Sequence, residues 1–238
     1  FYSETLPIPG QSLMGTIEEF GGGKGANQVV AAAQLGGNPF FATMFGEDDA
    51  ADTLTRGLAD AGVNISKITR KPGFSSGKAL IFVGLDGTNM IGIDAGANEA
   101  FNASDVQTAL SDIPQDAVMV VEMGLPVEAC RAALESKGSR FLIFNPAPVR
   151  VHLSEAEYRS IDIITPNETE AEELTGLKVT SVDEAFEAAK WLYSSGVAAV
   201  AITLGQNGVV YLDGERHIYQ SAYTVDAIDT TGAGDAFN

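Results

Sequence analysis

The sequence predicts an α/β protein with a mainly parallel central sheet, helices on both faces, and a small β-rich lid. Three observations lead there. Apolar runs of strand length alternate with amphipathic stretches along most of the chain, the pattern of a parallel sheet whose crossovers are helices. Glycine-rich turns stand where strand-like runs give way to helical ones. Residues 1–20 and 74–98 lack a long helical pattern and read as extended chain around turns. These two segments form the expected lid, and residues 21–73 and 99–238 the expected body.

The elements follow in order. Leu6-Pro7-Ile8-Pro9-Gly10 leads into a short extended stretch of the lid. Val29-Val-Ala-Ala-Ala-Gln-Leu35 reads as a helix that stops at Gly36-Gly37. Phe40 to Phe45 is the first strand of the body. Ala51, Leu54, Leu58 and Ala61 recur at helical steps and mark one buried face. Ala79 to Val83 is a lid strand, closed by the turn Leu85-Asp86-Gly87-Thr88. Val118 to Glu122, Arg140 to Asn145, Ile161 to Thr165 and Val197 to Thr203 are the remaining strands. Val182, Phe186, Ala189 and Tyr193 mark a last long helix, with Ser181 and Glu184 as a capping box and Gly196 as its stop. Gly232 to Asn238 reads as the first turn of a helix. One turn has no buried face of its own, so both ends are expected to belong to a longer protein.

Composition narrows the function. The 238 residues suffice for one large domain, or one with a small appendage. A formal net charge of −18 repels phosphate polymers, which argues against nucleic acid as a partner. It also repels ATP at long range, so a nucleotide site needs Mg²⁺, backbone N–H groups and helix N-termini close by. The apolar runs are strand-sized and none reaches the ~18 residues of a membrane-spanning helix, so no membrane partner is expected. The single cysteine, Cys130, cannot form an internal disulfide and reads as a small buried side chain on a helix. Asn64, Asn102 and Asn167 begin glycosylation-type triplets, a pattern common by chance; a cytoplasmic location is expected.

Four segments carry chemistry. Gly21-Gly-Gly-Lys-Gly-Ala-Asn-Gln28 is a glycine cluster that lets backbone approach a ligand, with Lys24 and Asn27 at a helix start. Its spacing fits neither the phosphate-loop nor the dinucleotide pattern. Asp229-Thr-Thr-Gly-Ala-Gly-Asp235 opens a helix whose first amides, on Ala233, Gly234 and Asp235, are expected to be unpaired donors facing an anion. Asp235 adds a carboxylate there, which makes sense if it takes a proton while the anion transfers. In Thr165-Pro-Asn-Glu-Thr-Glu-Ala-Glu-Glu173, Asn167 and Glu170 are three apart and suited to Mg²⁺ and its waters; an ordinary helix cap with acidic first-turn residues explains the same letters. Thr203-Leu-Gly-Gln-Asn-Gly208 is a turn between strands and weak evidence alone.

Together these segments resemble the PfkB-type carbohydrate kinase family in its ribokinase-like form, from about Leu6 to the last residue. The Gly22-Gly-Lys-Gly-Ala-Asn27-Gln form, Asn145-Pro-Ala-Pro148 and Thr165-Pro-Asn-Glu-Thr-Glu170 carry the likeness, and the Asp229 to Asp235 segment matches the family's second signature completely. The resemblance implies ATP-dependent phosphorylation of the primary hydroxyl of a pentose, D-ribose first; another sugar, a nucleoside, or a ligand-binding protein without turnover are the alternatives. It implies that Asp235 is the catalytic base and that Gly232, Ala233 and Gly234 line the anion pocket. Gly22, Gly23, Lys24, Asn27 and Glu122 would bind the sugar. Asn167, Glu170, Thr203, Gly205 and Gly208 would serve the nucleotide, with Glu170 reaching Mg²⁺ through water. Asp229 and Thr231 would contribute to a monovalent-cation site, usually K⁺. A homodimer through the lid is implied as well. Two departures stand out. The family's Asn-x-Asp sugar-binding pair would fall before Phe1. The family's sugar-binding glutamate aligns with Gly124, with Glu122 slightly early.

Overall fold

A computed structural model describes residues 1–85, 88–226 and 230–238. The chain opens with β1 (Tyr2–Ser3), α1 (Lys24–Gln34), β2 (Thr43–Gly46), α2 (Asp49–Asp60) and β3 (Ile68–Lys71). There follow β4 (Lys78–Gly84), β5 (Asn89–Asp94), α3 (Ala103–Leu110), β6 (Val118–Glu122), α4 (Val127–Glu135), β7 (Phe141–Asn145) and α5 (Glu155–Arg159). The rest comprises β8 (Ile163–Ile164), α6 (Glu168–Thr175), α7 (Val182–Ser194), β9 (Ala199–Thr203), β10 (Val209–Asp213), β11 (His217–Gln220) and α8 (Ala233–Phe237).

Six strands form the central sheet in the order β11-β10-β9-β8-β7-β6. From β6 to β9 neighbours run parallel; β10 and β11 join antiparallel at the far edge. Alternation along the strands assigns the faces. Leu142, Phe144, Ile164, Val200, Ile202, Val210 and Leu212 point one way and are buried in a single core with residues of α3 to α7. On the other face, Val118 and Phe141 are exposed, and α8 stands beside Ile143, Ile163, Ala201 and Tyr211. A second apolar cluster, Val29, Phe45, Ala51, Leu58 and Val63, gathers α1, α2 and β2.

Caps set the helix starts. Asp48 accepts from the Ala51 amide at 3.0 Å to begin α2, and also from the Ser76 amide and hydroxyl at 2.8 and 2.7 Å. These Ser76 bonds hold the Asp48 carboxyl below its usual range and tie the body to the segment leading into β4. Ser181 caps α7, but the Glu184 carboxylate accepts from Thr180 at 2.8 Å. The expected reciprocal box is therefore half formed, and the neighbouring threonine takes the other half.

Arg140 is 3 % exposed. Its guanidinium donates to the carbonyls of Leu110, Ile113, Pro114, Ser136 and Lys137, the ends of α3 and α4 and the loops after them. A cation at two helix C-termini meets the negative ends of both dipoles.

A separate three-stranded sheet has the order β1-β4-β5. It joins residues from the first and fourth tenths of the chain, with Tyr2 opposite Val83 in parallel and Ile81 opposite Ile91 in antiparallel register. Phe1 packs edge-on against Phe82 at 5.6 Å. Of the expected turn at 85–88, Asp86 and Gly87 lie outside the described residues.

Candidate active site

The parallel strands deliver the polar residues at one end of the sheet. Glu122 and Asn145 end β6 and β7, Thr165 follows β8, and Thr203 ends β9. Open α/β sheets bind ligands at the carboxyl ends of their strands. The glycine-rich start of α1 and the short α8 meet there.

Gly23 is the N-cap of α1, and Lys24 is its first residue. Asn27 and Gln28, one turn in, reach α8. Asn27 Nδ2 donates to Asp235 Oδ2 at 2.8 Å, across 208 positions of sequence. Gly232 begins α8 with φ +75°, a left-handed turn that disfavours any residue with a Cβ, and Asn27 Nδ2 stands 3.5 Å from where that Cβ would be. The expected row of three free amides is shorter than anticipated. The Ala233 amide donates to the Thr230 carbonyl at 3.2 Å, because the tight turn brings that carbonyl under it. The amides of Gly234 and Asp235 have no acceptor among the described residues.

Glu122 sits beside this junction. Its carboxylate turns back to accept from the Gly124 amide. A Cβ on Gly124 would lie 2.5 Å from Glu122 Oε2, so the Glu122 carboxylate fills the space that a side chain at 124 would take. Burial raises the pKa of Glu122. The Gly124 bond and the Lys24 and Arg150 charges pull the other way, and Asp235 adds to the rise. Gly25 lies between Phe41 and this carboxylate. Lys24 is exposed and has no ion pair among the described residues. Its charge reaches both Glu122 and Glu170. Gly22 precedes it in an exposed loop.

Asn167 and Glu170 form a capping box. Asn167 Oδ1 accepts from the Glu170 amide, and Glu170 Oε2 from the Asn167 amide, both at 2.9 Å. The helix-cap explanation of these letters therefore holds in the structure. It leaves Asn167 Nδ2 and Glu170 Oε1 without a partner among the described residues. Burial raises the pKa of Glu170, with Lys24 opposing and Glu173 and Asp235 assisting.

The turn after β9 divides. Thr203 bridges to Asn167 in parallel, which places it beside the α6 cap, and Gly205 is exposed next to Glu168. Gly208 has a structural explanation: a Cβ there would lie 2.0 Å from the Gln220 carbonyl, so β11 can pass only over glycine. Asp229 lies outside the described residues, and Thr231, in the turn before α8, has a partner. Among the described residues no three acidic, histidine or cysteine side chains group to hold a metal.

Two residues here escaped the sequence reading. Gln28 lies four positions after Lys24, on the same face of α1, and donates to Asn145 Oδ1 at 3.2 Å. Asn145 was legible only as part of a resembling run; its strand-end position in a parallel sheet is the signal that would have singled it out.

A model of the "pfkB family carbohydrate kinase" matches residues 2–238. A deoxyribokinase of Salmonella typhi is 35 % identical over 239 residues, 99 % of this chain and 78 % of the relative. A ribokinase of Staphylococcus aureus is 37 % identical over 240 residues, 98 % of this chain and 78 % of the relative. The structure of an Arabidopsis thaliana ribokinase complexed with ribose and ATP has 27 % identity and a TM-score of 0.83, covering 99 % of this chain and 79 % of that one.

Proposed function

This chain belongs to the pfkB family of carbohydrate kinases, and from that premise we propose that it moves the γ-phosphoryl group of ATP onto the primary hydroxyl of a pentose, D-ribose first. It is a sugar kinase. The choice of pentose is the open step, because one relative bears the name ribokinase and another deoxyribokinase.

The observation that carries the reading is the Asp235 carboxylate, held at 2.8 Å by Asn27 at the opening of α8. In the proposed reaction Asp235 takes the hydroxyl proton as the sugar oxygen forms its bond to phosphorus. The bond from phosphorus to the β-γ bridging oxygen breaks, and ADP leaves with that electron pair. Phosphoryl transfer of this kind depends on positioning and on stabilising charge. The Gly234 and Asp235 amides point toward the charge that develops, with Gly232 and Ala233 shaping the turn below them. Gly22, Gly23, Lys24, Asn27 and Glu122 face the sugar. Asn167, through Nδ2, together with Thr203 and Gly205, faces the nucleotide. Mg²⁺ would be held by Glu170 through water and would neutralise phosphate charge. Asp229 and Thr231 would serve K⁺. Neither His152 nor His217 lies in these segments, which leaves the carboxylate as base. The exposed lid sheet would pair two copies into a dimer.

The test is ADP release measured with D-ribose, 2-deoxy-D-ribose, fructose and adenosine, for this chain and for Asp235→Asn. Turnover should be highest with D-ribose. The variant should lose ~10²–10⁴-fold in turnover, the scale of a positioned base, with nucleotide affinity nearly unchanged. Near-normal turnover in the variant removes Asp235 from the mechanism; preference for another substrate in the panel overturns the ribose assignment.

A further inference from the structure

Behind Asp235 lies a buried chain of amides with no role in the account above. Gln28 is 8 % exposed, Asn145 6 % and Thr165 5 %. The Thr165 carbonyl oxygen can only accept, so the end of Asn145 facing it at 3.0 Å must be the NH₂ group. Asn145 Oδ1 then faces the other way and accepts from Gln28 Nε2 at 3.2 Å. The second hydrogen on Gln28 Nε2 is left for Asp235 Oδ1, 3.5 Å away. Flipping either amide would set two acceptors or two donors face to face, at a cost in a buried site. One backbone carbonyl thus dictates that a donor, and not an acceptor, points at the carboxylate. The same Thr165 also secures the far end of α8: its hydroxyl meets Asn238 Oδ1, and Asn238 Nδ2 donates to the Gly234 carbonyl at 2.7 Å.

We propose that Gln28 and Asn145 are positioning residues that lock the orientation of the base through the Thr165 carbonyl. Asn27 takes Oδ2 and Gln28 takes Oδ1, so the carboxylate is gripped at both oxygens by consecutive residues of one helix and cannot turn about its Cβ–Cγ bond. The 3.5 Å contact is at the long end, and such contacts shorten when substrate is bound. The inference rests on Asp235 being the base.

The experiment compares Gln28→Met, Asn145→Leu, the double variant and Asp235→Asn in steady-state kinetics, each first checked for a cooperative melt. Each single variant should lower kcat about tenfold or more, the order expected when a catalytic group is misplaced without being removed. KM for sugar and for ATP should move less than about threefold, since neither residue is placed against substrate. The double variant should be no worse than the poorer single one, because both act through one path. A kcat within about twofold of the starting protein in either single variant overturns the relay, as does a double loss equal to the product of the two. The two substitutions lie on different elements, so a folding failure in one leaves the other to decide. If Asp235→Asn also keeps its kcat, the base assignment has failed and the relay falls with it. A relay failure alone shows Asp235→Asn inactive and Gln28→Met active.

Discussion

Glu122 carries an acidic group into a half-buried position at the end of β6, and burial raises its pKa. A buried carboxyl with a raised pKa binds its proton more tightly in the folded than in the unfolded chain, which ionises near 4.5. As pH climbs through that value, the unfolded state gains from ionising before the folded state can, and stability falls until the folded pKa is passed. At neutral pH, Glu122→Gln should therefore raise Tm, with the gain fading in acid where the carboxyl is protonated in both states. The same change should raise KM for sugar by about tenfold, the worth of a hydrogen bond from a charged group. Thermal melts across pH paired with kinetics check both; a variant less stable at neutral pH would contradict the burial account. This residue also shows how far the letters reach. Glycine at 124 was legible, and so was an acid two places early. That the acid folds back over the glycine depends on loop geometry, which spacing does not encode. Asn27 and Asp235 were each legible, but their contact, 208 positions apart, required the fold.

At the scale of elements, what spacing revealed was whatever has a strong period. Val118–Glu122 is read to the residue, because four consecutive apolar residues ending on an acid stand out as a strand-length run, even though Val118 and Val120 lie on the exposed face. Ile161 to Thr165 shortens to Ile163–Ile164, since the Ile161 amide turns back to Tyr158 after α5 and Thr165 belongs to the amide chain. Phe40 to Phe45 shifts to Thr43–Gly46; Phe40 makes a lone bridge to Asn64. β3 and β11 went unread, because Ile-Thr-Arg-Lys and His-Ile-Tyr-Gln carry too few apolar residues to show alternation. Arg140, read as the first residue of a strand, instead joins α3 to α4 through five carbonyls. Arg140→Met would keep much of the volume and leave those acceptors bare. Urea unfolding should show a loss of about 2–4 kcal/mol with an unchanged slope. A loss under about 0.5 kcal/mol would mean that water replaces the guanidinium without cost.

At the scale of the whole molecule, the small sheet leaves an apolar face exposed. Ile81, Ile91 and Ile93 share one face of the β4–β5 pair and are 40 %, 54 % and 74 % exposed, and β5 is an edge strand with an open row of backbone groups. Contiguous exposed isoleucines mark an interaction surface. Light scattering at micromolar concentration should report a dimer, and Ile91→Asp with Ile93→Asp a monomer; a monomer before substitution would remove the dimer reading. The placement of polar groups at strand tips has a separate consequence. Leu142, Phe144, Val200 and Ile202 sit mid-strand in the core, while Glu122 and Thr203 sit at the ends. Sites that share no partner respond independently to substitution. Evolution can therefore retune which molecule such a tip embraces while the scaffold beneath stays as it was, and one architecture can radiate into many specificities.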